Sequence, residues 1–143
     1  MSRPTPMSRG DFPVHRRLQT RWSDNDAYGH MNNTVHYQLF DTAINHWLME
    51  QGLLDFRQGE IVGLVVETGC SYFAELAFPQ EITAGIAVEK IGNSSVTYRI
   101  ALFGQGETAA AQGRFTHVYV DRVSRRPVSF PQNWRDAFLE IQL

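Results

Sequence analysis

A chain of 143 residues has the length of one ordinary domain. Hydrophobic residues make up 43 % and charged residues 20 %, which excludes a disordered polar chain. The net charge is −2 and the basic pairs are limited to Arg16-Arg17 and Arg125-Arg126, so no clustered basic face is available for nucleic acid.

Residues 1–12 are polar and carry Pro4 and Pro6, and they read as a flexible N-terminal tail before a single domain over 13–143. They lack the apolar run of a secretory signal. No later stretch reaches the roughly 18 apolar residues of a spanning helix. A cytoplasmic protein with no membrane span is expected. The single cysteine, Cys70, excludes an internal disulfide framework, and its apolar, strand-like surroundings suit a buried structural thiol.

His15 to Trp22 alternates, with Leu18, Thr20 and Trp22 on one face, and reads as a strand. Ser23 to Gly29 is a turn by composition. Asn32 or Asn33 can cap the helix that follows. There Val35, Leu39, Phe40, Ala43, Ile44, Trp47 and Leu48 form one apolar stripe, and Gly52 supplies the stop. This predicts one helix over 34–51. Four strand candidates follow: 61–73, 81–91, 96–103 and 108–121, with turns at Gly92-Asn93-Ser94-Ser95 and Gly104-Gln105-Gly106-Glu107. Pro131 opens a short terminal helix over 132–141, with Trp134, Phe138 and Ile141 on one face. Tight turns between successive strands imply an antiparallel sheet. One helix cannot cover both faces of five flat strands, so the expected α+β solution is a sheet curled around the long helix. Its long edges need covering, and pairing of subunits is one way to do that.

The densest polar cluster is Asp24-Asn25-Asp26-Ala27-Tyr28-Gly29-His30-Met31-Asn32-Asn33. It lies between a strand and the start of the long helix. Free amides and the dipole at a helix start polarise a carbonyl placed there. A neighbouring carboxylate can attack that carbonyl or activate a water that does. Acyl transfer therefore fits. So does plain capping and turn chemistry, which Asn and Asp commonly perform before helices. The histidines, His15, His30, His36, His46 and His117, include no i, i+4 pair, and no Gly-x-Ser-x-Gly, Gly-x-Gly-x-x-Gly or P-loop occurs. No metal site and no cofactor is expected.

The run Arg21-Trp22-Ser23-Asp24-Asn25-Asp26-Ala27-Tyr28-Gly29-His30-Met31-Asn32-Asn33 resembles the motif of the 4-hydroxybenzoyl-CoA thioesterase family, Asp-x-Asp-x-x-Gly-His-x-Asn-Asn before an amphipathic helix. The resemblance extends over roughly residues 14–140. It implies a hotdog fold, a five-stranded antiparallel sheet wrapped around one long helix, and hydrolysis of acyl-CoA thioesters. It makes Asp26 the catalytic carboxylate, as nucleophile or general base, with backbone near Asn32 and Asn33 holding the carbonyl. Gly29 would admit close backbone approach, and His30 would orient or contact substrate. Glu67, Thr68 and Ser71 would face a subunit interface, where such active sites lie in homodimers that often build tetramers. The member that names the family has Tyr in place of Asn33, which puts this chain nearer the branch acting on aliphatic acyl groups. The turn at Gly92 to Ser95 is uncharged, leaving Lys90, Arg99 or Arg114 to meet CoA phosphates. Acyl carrier protein is an alternative carrier. A non-catalytic thioester-binding hotdog protein and a hotdog dehydratase are the competing functions.

Overall fold

The computed structural model describes residues 4–143. Five strands are formed: β1 Val14–Leu18, β2 Ile61–Tyr72, β3 Ile82–Ile91, β4 Ser95–Phe103 and β5 Ala111–Asp121. The helices are α1 Val35–Glu50 and α2 Gln132–Glu140, with short 3-10 turns at Arg9–Asp11 and Trp22–Asp24. All strand pairs are antiparallel, in the order β1-β3-β4-β5-β2. This is the expected hotdog fold.

Strand alternation gives the sheet two distinct faces. Ile82, Ala84, Ile86 and Val88 of β3 join Tyr98, Ile100 and Leu102 of β4 in the main core, against α1. The α1 stripe Val35, Phe40, Ala43, Ile44, Trp47 and Leu48 is buried there, together with His36. Each large apolar side chain so buried contributes about 1.5–3 kcal/mol. The helix ends where Gly52 adopts φ 72°, a conformation that costs any other residue, donating to Met49 O at 3.0 Å while Leu53 N–H reaches Leu48 O at 3.0 Å. Beyond β5, α2 closes one end of the core with Trp134 and Phe138, packed on Trp47, Tyr98, Tyr119 and Phe130.

Three details depart from expectation. The first strand ends at Leu18 instead of Trp22, because the Thr20 hydroxyl donates to Gln80 O at 2.8 Å and Arg21 folds back onto Asp24. The helix start is not capped by an Asn side chain in the usual way. Thr34 holds the cap position, and Asn32 makes a local turn, its Oδ1 accepting from Thr34 N–H at 3.0 Å. The described part of the N-terminal segment is laid on the outer face of the sheet and is no free arm. Met7 N–H donates to Gln112 Oε1 at 2.7 Å, Ala109 N–H donates to Met7 O at 2.8 Å, and Phe12 packs with Ala87, Ala101, Phe103 and Ala109. Small side chains on that face leave an apolar recess that Phe12 fills.

The sheet has two edges, β1 and β2. The β2 edge is the longer, and it leaves Leu64, Val65 and Val66 exposed, with a bulge between Val65 and Glu67. Among the described residues, no helix is long and apolar enough to cross a membrane.

Candidate active site

The Asp-rich segment forms a closed loop at the head of α1. Asn25 and Met31 pair across its base. Asp26 N–H donates to His30 O at 2.8 Å, and Gly29 N–H returns to Asp26 O at 3.1 Å. The turn requires Gly29 at φ 81°, and nothing lies within 4 Å of where a Cβ would stand. Glycine serves backbone conformation here, since crowding is absent.

The two aspartates have different surroundings. Asp24 is 1 % exposed, and its carboxylate accepts from Arg21 N–H at 2.7 Å, Nε at 3.0 Å and Nη2 at 2.8 Å. Its carbonyl accepts from Asn32 N–H at 2.9 Å. Asp24 therefore ties the strand exit to the helix start. Asp26 is half-buried, and only its Oδ1 is engaged, by Tyr28 N–H at 2.8 Å and His30 N–H at 3.4 Å. Among the described residues, Oδ2 has no hydrogen-bond partner. One oxygen fixes the side chain and the other is unengaged.

At the helix head, Thr34 N–H is taken by Asn32 Oδ1 and Val35 N–H by Asn32 O at 2.9 Å. The exposed Asn33 amide donates to no acceptor among the described residues, while Asn33 O accepts from Tyr72 OH at 2.7 Å. The loop is stitched to residues 73–80 as well: Met31 N–H donates to Leu76 O at 2.7 Å, and Phe78 N–H donates to Asn25 Oδ1 at 2.9 Å. The His30 ring reaches Glu75, Nε2 to Oε2, at 2.8 Å. Trp22 stands 81 % exposed beside the loop, its ring edge-on to Phe78.

Asp26, Gly29, His30, Asn32 and Asn33 thus share one loop and the helix start. Glu67, Thr68 and Ser71 do not join them within one chain. They border a separate recess of about 220 Å³ with Arg99, Gln112 and Arg114. Arg99 and Arg114 are both committed to Glu89, at 2.6 and 2.8 Å. Burial pushes the Glu89 carboxyl up, but the hydrogen bonds and charges of the two arginines outweigh it and hold it below its ordinary value.

A smaller recess of about 120 Å³ opens between the α1 head and the end of β2, bordered by His30, Asn33, His36, Tyr72 and Glu75. The sequence motif does not include His36 or Tyr72. The signal for His36 was present: it falls on the buried face of α1, one turn before Phe40. Tyr72 gave no such signal, because only tertiary structure carries the end of β2 to Asn33.

A curled five-stranded sheet enclosing one helix, with a carboxylate loop at that helix's head, defines a hotdog-fold thioester hydrolase. The chain belongs to the thioesterase-like superfamily, whose family model matches residues 20–138. The match fixes the superfamily and not the narrower 4-hydroxybenzoyl-CoA branch. The solved structure of the PA5185 protein from Pseudomonas aeruginosa strain PAO1 is 49 % identical, with a TM-score of 0.93, and the likeness covers 96 % of this chain and 97 % of that one. A predicted thioesterase from Bacillus stearothermophilus is 25 % identical, with a TM-score of 0.79 and coverage of 90 % and 96 %. The 1,4-dihydroxy-2-naphthoyl-CoA thioesterase Slr0204 from Synechocystis shares the fold at 16 % identity, with a TM-score of 0.78 and coverage of 89 % and 96 %.

Proposed function

We propose that this thioester hydrolase acts on acyl-CoA, with Asp26 as the catalytic carboxylate and the Asn33 amide as a donor to the carbonyl oxygen. The carrying observation is the pairing of an anchored Asp26 Oδ1 with an unengaged Oδ2, in the loop that leads to the open Asn33 N–H. The thioester carbonyl accepts from that amide, and the helix dipole adds to its polarisation. Oδ2 then takes a proton from an attacking water, or attacks the carbonyl carbon itself and forms an anhydride that water opens. On either route one water is consumed, the C–S bond breaks, and a carboxylic acid and CoA thiol leave. A thiolate is a competent leaving group, so the loop's lack of a dedicated strong acid is no obstacle.

The working unit we propose is a homodimer formed by pairing of the exposed β2 edges, with further association into tetramers. Pairing covers Leu64, Val65 and Val66 and places Glu67 and Thr68 at the seam. The test is thiol release by the wild type and Asp26→Asn across acetyl- to palmitoyl-CoA and benzoyl-CoA. Asparagine keeps an Oδ1 for the Tyr28 and His30 amides, so the loop is preserved while the reacting oxygen is lost. Turnover should fall at least about 100-fold. Undiminished turnover by a folded Asp26→Asn removes the assignment, and tight CoA-ester binding without hydrolysis by the wild type points to a binding protein.

A further inference from the structure

Tyr72 closes β2 and reaches the head of α1 from outside the Asp26 loop. Strand pairing sets it opposite Ala111, and the Phe73 and Ala74 N–H groups both donate to Ala110 O, at 2.8 and 3.0 Å, so the backbone beside it is tied down. Its ring meets that of the buried His36 edge-on, at 4.7 Å between centroids. Its hydroxyl donates to Asn33 O at 2.7 Å. Burial first, then the neighbouring Cys70 and Tyr37, push the phenol above its ordinary pKa, so the donated proton is retained at neutral pH. Asn33 is exposed and precedes Val35, the first residue of α1. Its N–H belongs to the Asn32-Asn33 peptide, whose oxygen accepts from Val35 N–H at 2.9 Å. Its oxygen belongs to the next peptide. Peptide units are planar, so the two backbone dihedrals of Asn33 set the angle between those planes. The second plane is held on one side by Asn32 Oδ1, which accepts from Thr34 N–H at 3.0 Å, and on the other by Tyr72. Asn32 belongs to the same short segment, so Tyr72 is the contact that refers this plane to the sheet.

From this geometry we infer that Tyr72 is a positioning residue for thioester hydrolysis: by holding Asn33 O against the end of β2, it fixes the direction in which the Asn33 N–H meets the thioester carbonyl. The inference rests on the reading of Asn33 as a carbonyl donor given above and deepens it. Tyr72 acts through Asn33 and not on the reacting atoms. A donor to a developing oxyanion is effective because it is aimed before the charge appears. When the hydroxyl is removed, water can satisfy the exposed Asn33 carbonyl, which spares the fold, but an exchanging water does not hold the plane. Losing such a donor outright costs roughly 10²–10³-fold in kcat. A donor that is present and loosely aimed should cost part of that, about 10-fold.

The experiment measures kcat and KM for the wild type and Tyr72→Phe on whichever ester of the acetyl- to palmitoyl-CoA and benzoyl-CoA panel the wild type hydrolyses fastest. Phenylalanine keeps the ring against His36 and removes the hydroxyl alone. kcat should fall about 10-fold while KM stays within about 3-fold, the pattern of an interaction felt chiefly in the transition state. A second readout is the infrared carbonyl stretch of the same ester, isotope-labelled at the carbonyl carbon and bound to Asp26→Asn. Adding Tyr72→Phe should move that stretch to higher wavenumber, because a misaimed amide polarises the carbonyl less. An unchanged kcat in Tyr72→Phe, a loss expressed in KM alone, or an unmoved stretch overturns the inference and leaves the thioesterase reading intact. A stretch in Asp26→Asn no lower than that of the free ester in an apolar solvent removes the Asn33 donor, and the inference with it. Hydrolysis of no CoA ester in the full panel overturns the thioesterase reading and the inference together.

Discussion

His117 offers the sharpest test of how the interior is built. It sits on β5 among the rings of Tyr98, Phe115 and Tyr119, 3 % exposed. Its Nδ1 lies 3.1 Å from Tyr119 OH, which in turn lies 2.8 Å from Tyr98 OH. Burial lowers its pKa from 6.5 to about 4. The unfolded chain therefore takes up a proton below pH 6.5 that the folded protein refuses until about pH 4. Stability from this group is intact above pH 6.5 and drains away as pH falls toward 4. With those two values, the loss between pH 7.5 and 4.5 is about 2–3 kcal/mol. In His117→Phe the titrating group is gone, while Tyr119 keeps its bond to Tyr98. The variant should be about 1 kcal/mol less stable at pH 7.5, for the lost hydrogen bond. It should then lose about 2–3 kcal/mol less than the wild type on acidification. Urea unfolding of both proteins at pH 7.5 and 4.5, at one protein concentration, measures the double difference. Carboxylates held low in the fold, such as Glu89, weaken both proteins in acid and cancel. Equal acid losses in the two proteins refute the argument.

Two further outcomes follow from the loop and the edge. Asp24→Ala removes an acceptor of three Arg21 bonds and should cost about 2–3 kcal/mol, as expected for charge-assisted hydrogen bonds, and lower thioester turnover by loosening the Asp26 loop; urea unfolding and thiol release test this, and a variant of wild-type stability contradicts it. Val66→Lys puts a charge on a residue 58 % exposed in the single chain and should shift sedimentation equilibrium toward monomer with little change in far-UV circular dichroism, whereas unchanged association means that β2 is not the seam.

The fold was largely legible because its elements carry clean periods. The α1 stripe and Gly52 marked a helix and its stop, and Ile82, Ala84, Ile86 and Val88 marked one face of a strand. The rest depends on how side chains fold onto one another and on distant partners. Asp24 and Asp26 are set apart by a local contact that composition does not show: the Arg21 guanidinium, three residues before Asp24, folds onto it and not onto Asp26. Polar composition over 1–12 suggests a loose arm, while Phe12 and the Gln112 amide, 105 residues beyond its partner Met7, hold the described part of that segment to the sheet. Asp26, His30 and Asn33 could be grouped from sequence because they share one short loop. Tyr72 and Glu75 could not, since they reach it from the far end of β2.

The placement of the tryptophans gives the molecule two optical reporters. Trp47 and Trp134 are enclosed around Phe138, whereas Trp22 stands in solvent beside the Asp26 loop. A water-borne quencher such as acrylamide reaches Trp22 first, so its fraction of the emission follows events at the site. The shielded fraction stays silent until the core opens. Ligand arrival and unfolding can therefore be followed in the unlabelled protein as separate signals.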